Sequence, residues 1–217
     1  MRLRHGRIWL ELHVRRRGDG APLLLLHGLG GSARDFGPGF DAWSGPVFAL
    51  DFSGHGASER LRGGAYYPEL LAADADAALA EIGAAAVAGA GLGAYVAVLL
   101  AGARSELVPA ALLLPGAGLD GGGPEPAASR RKRLEHALAE DEATLLDALG
   151  RDLRPPEYAA ELAGAARRLV LLEDGAPRPA WWEAVRRRTH APPAQSLADG
   201  LAWLSAAVSE TARTGSR

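Results

Sequence analysis

Val87-Ala88-Gly89-Ala90-Gly91-Leu92-Gly93-Ala94-Tyr95-Val96 joins two apolar stretches through glycines at alternate positions. Residues 85–88 form a short run suited to a strand buried on both faces. Residues 92–102 are apolar nearly all round and suit a buried helix. A strand that turns this sharply into a helix brings the two backbones into close approach, which explains Gly89 and Gly93. Gly91 is different. It occupies the tip of the turn, where a side chain would be presented to whatever binds above the sheet.

The same pattern of a short apolar run ending in turn residues recurs along the chain. Residues 23–26 are four leucines that stop at His27-Gly28. Residues 47–50 stop at Asp51, residues 111–114 at Pro115-Gly116, and residues 169–172 at Glu173-Asp174-Gly175. Upstream, residues 3–14 alternate as a strand or hairpin, with Leu10, Leu12 and Val14 on one face. Helical spacing fills the gaps over 67–82, 127–149, 156–168, 181–188 and 195–208, and 209–217 reads as a frayed tail. Strands alternating with helices predict an α/β fold: a mostly parallel twisted sheet with helices on both faces. The segment 116–168 carries no strand and reads as a lid-like helical insertion in a single domain, followed by a shortened C-terminal end.

Composition narrows the function classes. The 217 residues carry a net charge of −2, so no global field draws the chain to nucleic acid or an anionic membrane. The arginine runs at 15–17, 130–133 and 186–188 are interleaved with acidic stretches and read as solvated faces. Without cysteine there are no disulfides, thiolate metal sites or cysteine catalysis, which fits a cytoplasmic setting. No signal-peptide pattern or membrane-spanning run is visible. The histidines and acids show no metal-ligand spacing, so neither metal nor cofactor is expected. The expected partner is a small molecule.

In an open parallel sheet, ligands bind beyond the carboxyl ends of the strands. There this chain places His27-Gly28-Leu29-Gly30-Gly31-Ser32, then Asp51-Phe52-Ser53-Gly54-His55-Gly56-Ala57-Ser58, then Gly89-Ala90-Gly91-Leu92-Gly93. A dinucleotide-binding glycine loop is the rival reading of the last motif, but its glycine spacing fails. In order and spacing the three loops resemble the α/β-hydrolase fold superfamily, whose members carry an HG-rich loop, a D-x-x-G-H-G-x-S loop and a G-x-S-x-G nucleophile elbow. The resemblance covers residues 3–114 well and the remainder thinly.

The resemblance implies a site and also a departure from it. Gly91 stands at the nucleophile position, so the attacking oxygen is missing and neither Ala90 nor Leu92 replaces it. The family's oxyanion hole, made of backbone N–H groups, maps to Leu29 and Leu92, with His27 and Gly28 as binding residues. It does not depend on a side chain at 91, although a lid packed into that space would also close it. His190 is the one histidine in the C-terminal region and the candidate base. Asp174 is the candidate acid, with Asp120 as the alternative. Ser32 and Ser53 could serve as relocated nucleophiles, but their surroundings read as turn and capping chemistry. His27 and His55 read as fixing loop geometry, and Trp181-Trp182 as anchoring a helix. The implied protein is esterase-like by family, and acts as a weak or non-hydrolytic enzyme on a small carbonyl compound. The alternative is a catalytically inactive protein that binds a small ligand.

Overall fold

The computed structural model describes residues 1–61, 66–119, 149–150 and 154–214. Seven strands form one sheet: β1 (Arg2–His5), β2 (Ile8–Arg16), β3 (Leu23–Leu26), β4 (Val47–Asp51), β5 (Ala86–Ala90), β6 (Ala111–Leu114) and β7 (Leu169–Leu171), in the order β1-β2-β4-β3-β5-β6-β7. β1 and β2 form an antiparallel hairpin, β2 pairs antiparallel with β4, and every later pairing is parallel. Among the described residues the helices with full bounds are α1 (Pro68–Ile82), α2 (Leu92–Ala103), α3 (Pro156–Ala165), α4 (Ala180–Arg188) and α5 (Leu197–Thr214), with short 3-10 turns at Ala33–Asp35 and Pro38–Ala42.

Strands β3, β5, β6 and β7 are apolar throughout because the sheet is covered on both sides there, whereas the hairpin strands β1 and β2 alternate apolar with charged residues. Leu24 and Leu26 enter one core with Val87, Leu113, Leu169 and the helix residues Leu71, Tyr95 and Trp181. Leu23 and Leu25 enter the other with Ala88, Leu112, Val170 and the α5 residues Leu201 and Leu204. Successive side chains of a strand point to opposite faces, so a four-leucine strand feeds both cores. Trp181 and Trp182 are fully buried, and Tyr95 meets the Trp181 ring edge-on at 5.0 Å, so the tryptophan pair does anchor α4.

Two sequence boundaries need correction. The residues expected to fray from 209 continue α5 to Thr214; a Ser196 hydroxyl accepting from the Asp199 N–H at 3.1 Å starts that helix. The helix expected over 156–168 stops at Ala165 so that the chain can enter β7. The expected helix at 127–149 falls almost wholly outside the described residues, as does Asp120. Leu149, at its end, is fully buried in the first core.

Candidate functional site

β5 ends at Ala90 and α2 begins at Leu92, leaving Gly91 alone at the turn with φ +55° and ψ −115°. A positive φ disfavours any residue with a β-carbon. The flanking glycines are required by packing. A β-carbon at 89 would lie 2.7 Å from Ala94 N and closer still to the Gly93 carbonyl. One at 93 would meet the Leu26 carbonyl group at the end of β3. The Gly91 carbonyl accepts from Ala94 N (2.9 Å) and Tyr95 N (3.1 Å), and its own N–H donates to Leu114 O (3.0 Å). Strand, turn and helix thus meet at Gly91 with close backbone contacts at positions 89 and 93, the arrangement that the family resemblance assigns to a nucleophile elbow.

The space above that tip is occupied by the chain itself. After β6 the backbone runs through Pro115-Gly116-Ala117-Gly118-Leu119 and folds over the elbow. The Ala117 carbonyl accepts from Leu29 N at 2.9 Å and from Leu92 N at 2.9 Å. These are the two backbone donors that sequence resemblance assigns to an oxyanion hole, and they converge on one oxygen of the protein. A β-carbon on Gly91 would lie 2.5 Å from Ala117 N, 2.5 Å from Gly116 C and closer still to Ala117 O. Gly28 packs on the same peptide: its β-carbon position is 3.2 Å from Ala117 O. Leu119 then adopts φ +54°, the single non-glycine residue with positive φ among the described residues. Its carbonyl accepts from Trp181 Nε1 at 3.3 Å, and its N–H donates to Leu149 O at 3.1 Å.

Sequence reasoning missed Ala117. A signal existed: Gly89-Ala90-Gly91-Leu92 and Gly116-Ala117-Gly118-Leu119 are the same four residues, the first closing β5 and the second lying just beyond its parallel neighbour β6. Paired small residues at neighbouring strand ends allow one backbone to lie on the other.

The loop after β4 is held by Asp51. Its carboxylate accepts from Ala33 N (2.7 Å), Ala57 N (2.8 Å) and His13 Nε2 (2.9 Å) while almost fully buried. Burial pushes its pKa up, but the Ala33 and Ala57 N–H groups and His13 outweigh this, and it lies below the ordinary carboxylate value. His27 Nδ1 donates to Gly28 O (2.8 Å) and Nε2 accepts from Phe52 N (3.2 Å), the tautomer that these backbone partners dictate. Both ring nitrogens thus serve the loops rather than the space above Gly91. His55 is buried, donates from Nδ1 to Ser53 O (3.1 Å), and is pushed below the ordinary imidazole pKa by that burial.

The two candidate serines lie in the loops after β3 and β4. Ser32 caps the first 3-10 turn in a reciprocal pair with Asp35. Ser53 donates its N–H to Asp74 (2.8 Å), and its buried hydroxyl contacts no base among the described residues.

Asp74, fully buried on α1, also bonds His5 Nδ1 at 2.6 Å and so ties the edge hairpin to this loop. The Asp74 hydrogen bond, opposed by partial burial, raises the His5 pKa. A raised folded-state pKa contributes stability that is fully present below the unfolded value of about 6.5 and is lost as pH rises through the folded one. His5→Gln is expected to be most destabilising near about pH 5.5 and least near about pH 9. Urea midpoints of both proteins at the two pH values check it; an equal gap at both would refute the linkage.

His190 and Asp174 are not brought together by any described hydrogen bond or ion pair. Asp174 is exposed and bound to Arg178 and to Ala176 N (3.0 Å); the Ala176 N–H and the Arg178 guanidinium hold its pKa below the ordinary value. His190 is exposed in the loop after α4. After β7 the chain makes a single further parallel bridge, Leu172 to Ala194, in keeping with the shortened C-terminal end. The family resemblance puts the histidine after the last strand, whereas His190 precedes the bridge residue Ala194. A small cleft of about 180 Å³ beside this loop is lined by Leu171, Glu173, Arg186, Thr189, Ala191 and Pro193, none from the elbow or the loops after β3 and β4. No group of histidines and acids among the described residues could hold a metal ion. No helix among them is long and apolar enough to cross a membrane.

The fold and the elbow define a class. The chain matches the model of the alpha/beta hydrolase family over residues 23–213, and it belongs to that family. Its fold is similar to that of a putative lipase from Acinetobacter baumannii AYE, at 17% identity and TM-score 0.70 over 100% of this chain and 91% of that one. It is also similar to a haloalkane dehalogenase from Bradyrhizobium elkani USDA94, at 16% identity and TM-score 0.67 over 97% and 98%. A bottromycin epimerase in complex with bottromycin A2 aligns at 21% identity and TM-score 0.56 over 99% and 98%. No curated protein gives a significant sequence match.

Proposed function

We propose that this chain is a non-hydrolytic member of the alpha/beta hydrolase family: it makes no acyl-enzyme and acts through binding a small molecule. The observation that carries the reading is the Ala117 peptide. Its carbonyl takes both N–H groups, Leu29 and Leu92, that would stabilise an oxyanion, and its backbone fills the volume of a side chain at 91. Oxyanion catalysis needs donors aimed at an oxygen that arrives with the substrate. Here those donors are already satisfied.

The rival reading, a weak enzyme acting on a small carbonyl compound through an activated water, needs a base beside the elbow. His190 has Asp174 as its expected partner, and Asp174 is bound to Arg178 instead. The folds it resembles include an epimerase as well as a lipase, so the scaffold is compatible with chemistry other than ester hydrolysis. The proposal keeps a small-molecule partner and a cytoplasmic setting, the latter resting on the cysteine-free sequence.

A serine-directed fluorophosphonate probe is expected to leave the protein unlabelled, and p-nitrophenyl acetate to turn over no faster than with heat-denatured protein. Labelling abolished by Ser32→Ala or Ser53→Ala would overturn the proposal. So would ester turnover abolished by His190→Ala.

A further inference from the structure

We propose that the peptide plane between Ala117 and Gly118 is a two-state gate over the elbow, closed when the Ala117 carbonyl points in and open when that plane flips. The inference rests on the reading that this site binds rather than hydrolyses, and it adds how the site is opened.

Three observations support it. First, closure is made by one oxygen: both the Leu29 and the Leu92 N–H groups end on Ala117 O, at 2.9 Å each. Turning a single peptide plane therefore frees both at once. Second, the residue after that oxygen is Gly118, held at φ +115°. A peptide flip changes ψ of one residue and φ of the next, and glycine accepts the change without a steric barrier from a β-carbon. Third, the segment is anchored on either side of the plane. Leu114 O is held by Gly91 N, and Leu119 is buried with its N–H on Leu149 O and its carbonyl on Trp181. The flip needs neither anchor to move. Flipping also turns the Gly118 N–H toward the space that the carbonyl leaves. The open gate then offers the N–H groups of Leu29, Leu92 and Gly118, which suit a carboxylate or carbonyl oxygen.

Native-state hydrogen exchange tests the gate directly. In the wild-type protein the Leu29 and Leu92 amides are expected to exchange together, at least tenfold faster than the Leu25 and Ala88 amides of β3 and β5. Their opening should be insensitive to low urea, because a peptide flip exposes little surface. Exchange of Leu29 and Leu92 only with global unfolding, at the full urea dependence, would overturn the proposal.

Gly118→Ala gives a second reading. Its β-carbon would lie 2.8 Å from Leu92 Cβ and 3.1 Å from Leu29 Cβ, and φ +115° is unfavourable for alanine, so the closed form is penalised. In a folded Gly118→Ala protein the Leu29 and Leu92 amides should exchange at least tenfold faster than in wild type, with β3 and β5 unchanged. Sodium acetate should then shift both amide resonances saturably, at a concentration at least fivefold lower than in wild type. A folded variant with unchanged exchange, or with no saturable shift, would overturn the gate. Loss of protection throughout β3 and β5 would mean that the variant has unfolded, and the wild-type exchange then decides. Fluorophosphonate labelling would defeat the functional reading and leave these exchange results standing.

Discussion

Gly91→Ser is expected to yield no esterase and to lower the unfolding free energy by about 2–4 kcal/mol. Restoring the family's serine at the tip of an intact elbow would ordinarily be the shortest route back to hydrolysis. Here two penalties add. Serine must adopt φ +55°, and its β-carbon must enter space held by Ala117 and Gly116, 2.5 Å from Ala117 N. The colliding atoms are backbone, so no rotamer change relieves the overlap. The segment 115–119 must leave the site or the elbow must distort. Against a typical domain stability of about 5–15 kcal/mol the variant stays folded but weakened. Urea denaturation gives the stability change and p-nitrophenyl acetate the activity. An unaltered midpoint together with new ester turnover would show that the Ala117 segment yields freely, and the closed-site reading would fall. On the closed-site reading, ester chemistry at position 91 requires residues 115–119 to be rebuilt as well.

Asp51→Ala is expected to be the more damaging change, at about 3–5 kcal/mol. One buried carboxylate holds the N–H of Ala33, the N–H of Ala57 and the His13 ring, so it joins the loops after β3 and β4 to the edge hairpin. Truncation leaves the backbone donors unpaired in the interior. Asp51→Asn keeps one acceptor and should lie between the two. The pH dependence has a definite sign. The folded pKa is depressed, so the stabilisation is present above the unfolded value of about 3.8 and is lost as pH falls through the folded one. Wild type should lose stability steeply in that acid window, whereas the difference between wild type and Asp51→Asn should shrink there. Urea midpoints across the acid range measure both. A gap that stays constant through the acid limb would show that Asp51 contributes as a neutral group, contrary to this account.

Much of this architecture was readable in order along the chain. Four-residue apolar runs ending in glycine, histidine, aspartate or proline mark β3, β4, β5 and β6, because strands buried on both faces have no polar side to show. Gly89 and Gly93 mark a close approach of strand and helix, and the structure gives each a backbone neighbour that forbids a β-carbon. Trp181-Trp182 was legible as an anchor. Less was legible toward the C-terminus. Asp174 followed a strand as a family acid does, yet an exposed aspartate bonds whatever cation is near, and Arg178 is one turn away. His190 drew notice because it is the last histidine in the chain. Its place before rather than after the bridge residue Ala194 depends on where pairing with β7 occurs, which local pattern does not report.

That glycine at 91 carries no attacking atom in any conformation was a property of the sequence alone. What became of the vacated space was not. That depends on β5 and β6 lying side by side, which sets two Gly-Ala-Gly-Leu turns against each other, and on the Ala117 carbonyl meeting N–H groups from two other loops at once. Glycine leaves room, and close packing fills room with whatever the topology brings beside it. Residue identities determined that position 91 has no side chain, and the order of the strands determined that the protein's own backbone packs over it.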